Sequence, residues 1–294
     1  MLTIADKPIG FETWSLINIP STDAWHDELQ EIRKLGIGMI EISAPCSRDE
    51  VQQCKGALDR LYRKCKELSL NILGWHAPAL AKDIGLEEQI NPITEMCSLL
   101  KTSSVTIMDW SSRETKRSSQ IFKDYAQRLM EVATALNPTN AAEILDPIHV
   151  DFHVFAFHLK QAENKKGHVD DLSKTELDIL LDYTDNKIGI QLDTFWLAKA
   201  GYLSPESFFN EYSLEDRHLS IHLGNKKGKL SCALGDKTGE VNCTAWLDFI
   251  KENDSVKNVV LEFMPGTLHS SKTAPNPVLV KSINWLKKHG AVII

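Results

Sequence analysis

Short apolar runs alternate with amphipathic stretches along the whole chain. The runs Pro8–Thr13, Gly38–Ile42, Leu70–Gly74, Ser104–Met108, Ile148–His153, Ile188–Leu192, Leu219–His222 and Asn258–Leu261 have the length and residue types of buried strands. Between them the apolar positions recur at helical spacing. Trp25, Leu29 and Ile32 share one face, with Ser21 or Thr22 as the cap and Gly36 as the stop. Ser47 to Glu50 reads as a capping box before Val51, Cys54, Leu58 and Leu61, and Ser173 to Glu176 repeats it before Leu177 and Leu181. Ser204-Pro205 and Asn276-Pro277 place proline at a first helical position. The last helix carries Val280, Ile283 and Leu286 and stops at Gly290.

Strand and helix in strict alternation predict a parallel sheet covered by helices. Eight such units favour closure into a (β/α)8 TIM barrel, an α/β fold, with residues 1–294 as a single domain. No G-x-G-x-x-G follows the first strand and no phosphate-binding G-x-x-x-x-G-K-[ST] occurs, so the open nucleotide-binding sheets lack their signature. Asn137–Pro147 is the most irregular stretch and reads as a long connection.

Composition adds limits. The chain is 43% hydrophobic and 25% charged, ordinary for a globular protein, with a formal net charge of −7 that argues against a nucleic-acid surface. Its six cysteines show no C-x-x-C pair, which predicts reduced, buried thiols. The first residues lack the organisation of a secretion signal and no apolar run is long enough for a membrane span, so a cytoplasmic protein is expected. A homo-oligomer is compatible with this fold, by analogy alone.

In a TIM barrel the C-terminal strand ends form the active-site face. There the sequence places Glu12, Thr13 and Trp14, then Glu41, then Trp75 and His76, then Asp109 and Trp110, then Asp151 and His153, and last Asp193, His222 and Glu262. An aspartate closing a strand also caps the next helix, and a lone histidine is commonly a satisfied core residue. Asp, His and Glu at the ends of three successive strands nevertheless make an O/N site for a divalent metal ion: manganese, magnesium, zinc, iron or cobalt. His153 is the preferred fourth ligand; Asp151 shares its strand face, and His158 lies just beyond. Trp14, Trp75, Trp110 and Trp196 fall at or past strand ends, where aromatic faces suit the C–H faces of a sugar; the competing reading is packing between loops. Glu41 is a further candidate for binding substrate. Lys226, Lys227 and Lys229 read as a solvated loop rather than a phosphate handle.

At these residues the chain resembles the xylose isomerase-like TIM barrel superfamily, in its sugar phosphate isomerase/epimerase branch. Gly189 to Thr194 looks like the segment carrying that family's metal-binding aspartate, Ser220 to Leu223 like the strand with its metal histidine, and Val260 to Glu262 like the final strand with its metal glutamate. Leu234 to Val241 looks like the family's glycine-rich loop. Two departures stand out: His153 occupies the strand-five segment where many members carry a glutamate, and Gly224-Asn225 replaces the usual Lys-Asp pair.

The resemblance implies a metal-dependent isomerase or epimerase acting on a sugar, ketose or inositol-like polyol through an enediolate. Glu262, His153 and His76 are its candidate proton-transfer groups. Expelling a β-hydroxyl from the same enediolate would instead make it an inosose-type dehydratase. Two further readings share the fold: an apurinic endonuclease-like phosphodiesterase, and a sugar-binding barrel without turnover.

Overall fold

The computed structural model of the chain describes residues 1–13, 24–43, 48–81, 83–109, 118–137, 147–159, 174–214, 216–263 and 276–294, with backbone alone at 24–26 and 48–54. Trp14, Trp110, Ser21, Thr22, Ser47 and Ser173, and most of Asn137–Pro147, lie outside these described residues, so the expectations placed on them are not addressed.

The strands are β1 (Leu2–Ile4), β2 (Lys7–Glu12), β3 (Met39–Ser43), β4 (Asn71–Pro78), β5 (Ser104–Met108), β6 (His149–Val154), β7 (Ile188–Asp193), β8 (Leu219–Leu223), β9 (Asn225–Lys227), β10 (Leu230–Cys232), β11 (Val256–Leu261) and β12 (Val292–Ile293). Strands β2 to β8 and β11 pair in parallel, each with the next, and β11 pairs back to β2 through Val259↔Ile9 and Leu261↔Phe11. The sheet is thereby a closed (β/α)8 barrel, as the alternating pattern predicts. Its strands are buried on both faces, which is why they read as near-continuous apolar runs.

Around the barrel run α1 (Ala24–Lys34), α2 (Arg48–Glu67), α3 (Leu86–Leu100), α4 (Ser119–Leu136), α5 (Glu176–Tyr183), α6 (Thr194–Ala200), α7 (Pro205–Phe209), α8 (Cys243–Glu252) and α9 (Pro277–Lys288), with a 3-10 turn at Ala156–Leu159. Proline opens α7 behind Ser204 and α9 behind Asn276, as expected. The capping box before α5 falls two residues later than the sequence suggests. Thr175 caps the helix and Asp178 completes the box, because Glu176 is already helical. Trp246 and Trp285 lie on helices α8 and α9. The described cysteines are free, and burial pushes the Cys65 thiol up to about 12. Among the described residues no helix is long and apolar enough to cross a membrane.

Three features are absent from the strand pattern. A two-residue turn at Ala5-Asp6, both at positive φ (46° and 63°), joins β1 to β2 antiparallel, and β12 adds to β1. Asn225 to Cys232 forms the hairpin β9–β10 instead of an open loop, with Lys226 buried against Glu240. The third is a bulge in β4. The pairs Met39↔Asn71 and Ile40↔Ile72 are followed by Glu41↔Gly74 and Ser43↔His76, so Leu73 is an extra residue. Were all residues of β4 paired without the bulge, Trp75 would stand opposite Ser43 and point inward; with the bulge His76 does.

Below the barrel Arg217 ties one corner together. Its guanidinium donates to the carbonyls of Leu181, Thr184, Asp185 and Ile188 and to Thr184 Oγ1. Arg217→Ala strands those acceptors and is expected to cost about 3 kcal/mol, since hydrogen bonds from a charged donor are the strong ones. Urea denaturation measures it, and the metal content of the folded variant should match the parent.

Candidate metal centre

Asp193 closes β7 and His222 lies beside it in β8 as its register partner. Glu262 follows the last residue of β11, and His153 sits one residue before the end of β6. One ligand atom from each of these side chains lies within 4.8 Å of all the others. The structure therefore brings together the four residues singled out as ligands, at the C-terminal ends of four barrel strands.

Asp193 divides its labour between its two oxygens. Oδ1 accepts from the backbone N–H groups of Phe195 (2.7 Å) and Trp196 (3.3 Å), so the helix-cap role is real. Oδ2 is buried and no N–H group reaches it: His153 Nε2 is 3.9 Å away, and the Glu262 carboxyl adjoins the same side chain. A buried carboxylate oxygen without a donor is costly, and a cation among these four side chains would satisfy it. Burial, then the adjacent Glu262, push the Asp193 carboxyl well above its ordinary range.

His222 bridges two carboxylates: Nδ1 faces Glu262 and Nε2 faces Glu41 Oε2 at 2.5 Å. Burial alone would depress this imidazole, but the flanking Glu41 and Glu262 outweigh it and hold it well above its usual pKa. Burial likewise opposes ionisation of Glu262, and the His222 charge overrides it and keeps the carboxyl below its usual range. His153 has no carboxylate this close, Asp193 Oδ2 being 3.9 Å from its Nε2. Burial, reinforced by His222 and His76, pushes it well down, so it stands as a neutral imidazole.

Beneath these four lies a polar chain across the barrel. Glu41 Oε2 is 3.1 Å from His76 Nε2, and Gln191 Nε2 donates to Glu41 Oε1 at 2.9 Å. Gln191 Oε1 faces His76 Nε2 at 3.0 Å. Ser43 gives its hydroxyl proton to Glu12 and stands 2.9 Å from His76 Nδ1. The serine proton being committed, His76 Nδ1 must donate, and Nε2 faces only oxygens; both nitrogens carry protons. The pKa direction agrees. Burial would lower His76, but Glu41 raises it more, while Glu41 itself, despite burial, is held well below its usual range by His76 and His222.

Other expectations meet a different outcome. Trp75 does not face the mouth: the strand end predicted at Gly74 runs on to Pro78, and the bulge turns the indole outward, where its N–H reaches Cys97 on α3 at 3.4 Å. Glu41 is fully buried among His76, His222 and Gln191, a position that serves the ligands more directly than a substrate. Trp196 packs at the rim against Phe155, with centroids 5.3 Å apart and Lys199 over its ring. Asp151 turns to the opposite end of the barrel, and His158 packs outside it against Phe152 and Phe122. Gln191 went unrecognised in the sequence, although it stands two residues before Asp193 on the same strand face.

The segment resembling a glycine-rich loop, Leu234 to Val241, is clamped by Asn225, which donates to the Ala233 carbonyl and accepts from the Val241 N–H.

No protein-family model matches the sequence, and no curated protein matches it. Solved structures do. A sugar phosphate isomerase/epimerase from Parabacteroides distasonis superposes with a TM-score of 0.70 at 13% identity, over 96% of this chain and 98% of that one. The IOLI protein with a binding zinc atom gives 0.63 at 17% identity, over 96% and 95%. The protein described as the probable 3-DHS dehydratase AsbF from Bacillus anthracis gives 0.59 at 15%, over 95% and 98%. At these identities the likeness is one of fold: a (β/α)8 barrel over nearly the whole chain.

Proposed function

We propose that the chain is a divalent-metal-dependent isomerase or epimerase that moves a proton next to the carbonyl of a sugar, ketose or inositol-like polyol. One observation carries this reading: His153, Asp193, His222 and Glu262 converge at the barrel mouth around a buried carboxylate oxygen that has no donor. Two imidazoles with two carboxylates suit zinc, manganese, iron or cobalt better than magnesium. A divalent ion held there supplies Lewis-acid stabilisation of the negative charge that develops on a carbonyl oxygen.

The chain's own groups handle the proton. Glu262, held ionised, is the carboxylate base, and His153, kept neutral, has a ring nitrogen free to hold the ion. Glu41 holds the Nε2–H of His222, which leaves Nδ1 to face the other ligands and fixes the tautomer. His76, protonated and braced by Ser43 and Gln191, keeps a proton in reserve below the mouth. The name of the Parabacteroides distasonis neighbour, a sugar phosphate isomerase/epimerase, supports a small carbohydrate as substrate.

Metal analysis of the purified protein, followed by solvent deuterium exchange into a panel of ketoses and inososes, tests the proposal. Deuterium should enter the carbon beside the carbonyl, and only when metal is present. Sugar binding without exchange would refute it in favour of a non-catalytic barrel, and nicking of abasic DNA in favour of a phosphodiesterase. His153, where a second carboxylate would complete a symmetrical pair, favours chemistry with one carboxylate base. That observation supports β-elimination as the second reading, recognised by loss of water from the product.

Metal uptake should also expel protons. Asp193 and His222 both have raised pKa values, and ligation, which needs their deprotonated forms, displaces the protons they retain. Affinity is therefore expected to rise with pH. Calorimetry in two buffers of different ionisation enthalpy should give different apparent heats; identical heats would refute the coupling.

A further inference from the structure

A second cluster stands at the other end of the barrel. Asp151 Oδ1 lies 2.9 Å from His149 Nε2 and 3.0 Å from His218 Nδ1, and the two imidazoles meet edge to face with centroids 4.0 Å apart. Its ligand atoms fall within 4.8 Å of one another. Asp151 is buried, while the His149 and His218 side chains are 34% and 19% exposed, so the cluster opens to solvent.

The strand between them makes this possible. Asp151 is the register partner of Gly189 on β7, and a Cβ on Gly189 would fall 1.8 Å from Asp151 Oδ1, 2.8 Å from His149 Nε2 and 3.0 Å from His218 Nδ1. Any side chain there would occupy the space where the three groups converge. Gly189 is four residues before Asp193, about 13 Å along a strand, so the two clusters are separate.

We infer that His149, Asp151 and His218 form a second divalent-cation site, at the N-terminal end of the barrel. Two imidazoles and one carboxylate select zinc, nickel, cobalt or copper over magnesium and calcium. The spacing suits such an ion. Ligands about 2.1 Å from a metal stand roughly 3.0 Å apart at octahedral angles and about 3.4 Å at tetrahedral ones, and the two separations from Asp151, 2.9 and 3.0 Å, match the octahedral spacing. Three protein ligands leave the remaining positions to water on the exposed side. The ion would link β6 to the residue just before β8 across Gly189, and so act as a staple at the end of the barrel where residues serve stability.

The site is independent of the reaction proposed for the mouth, and the test keeps them apart. Zinc alone is titrated into the parent and into His149→Gln/His218→Gln, and metal is counted after gel filtration. The parent should retain one equivalent more than the double variant. In Asp193→Asn/Glu262→Gln, which disables the mouth, zinc should still raise the melting temperature, and adding the two glutamines should abolish that rise. If the double variant does not fold, His149→Gln alone should weaken the extra equivalent at least tenfold. Equal zinc content in parent and histidine variants, or a melting shift that survives them, would overturn the inference.

Discussion

His222→Ala is expected to lose the mouth metal and, with it, at least about a thousandfold of the solvent exchange rate, since Lewis-acid assistance is worth several kcal/mol and each 1.36 kcal/mol is tenfold. Metal content by mass spectrometry and deuterium exchange read the two effects together. The substitution also removes the charge between Glu41 and Glu262, and breaking one partner out of such a buried arrangement costs about 3–5 kcal/mol. Asp193→Asn isolates the function from the fold. Its amide oxygen can still accept from Phe195 and Trp196, and an amide replaces a carboxyl whose pKa is already raised, so stability should barely change. Asp193→Asn folded and holding the full metal complement with normal exchange would refute the site.

Glu41→Gln should act differently. All four residues around the metal remain, so the stoichiometry holds, but the group that orients His222 becomes neutral. Losing such a supporting partner typically costs 10- to 100-fold. His76 also loses the charge that raises its pKa, so its proton should leave at lower pH than in the parent. The expected result is full metal, exchange reduced by one to two orders of magnitude, and a pH profile whose upper limb shifts down. Loss of metal would instead make Glu41 a ligand, and unchanged exchange would remove it from the mechanism.

The barrel was legible because parallel strands buried on both faces leave contiguous apolar runs, and each predicted run became a strand. The four residues at the mouth were legible for a related reason: Asp193, His222 and Glu262 are expensive to place at the end of such runs without a purpose. The supporting chain was not. Its partners sit on β2, β3, β4 and β7, and which side chains meet depends on register, which a single strand does not encode. Gln191, a polar residue inside an otherwise apolar strand, offered a signal that went unread. Asp151 shows the opposite limit. Alternation correctly put it on the inner face with His149 and His153, but inner face alone does not tell the mouth of a barrel from its base.

The extra residue at Leu73 has a consequence for comparing this protein with others. At identities of 13 to 17%, an alignment through β4 has almost nothing to anchor it. Placing a gap one position away matches an indole to an imidazole. Flattening the bulge with the length of the strand unchanged would exchange His76 for Trp75 opposite Ser43 and leave Glu41 without one of its two cationic neighbours, whereas deleting Leu73 would remove the bulge and keep His76 in place. Along this strand the bulge, more than the number of residues, decides which side chain enters the barrel.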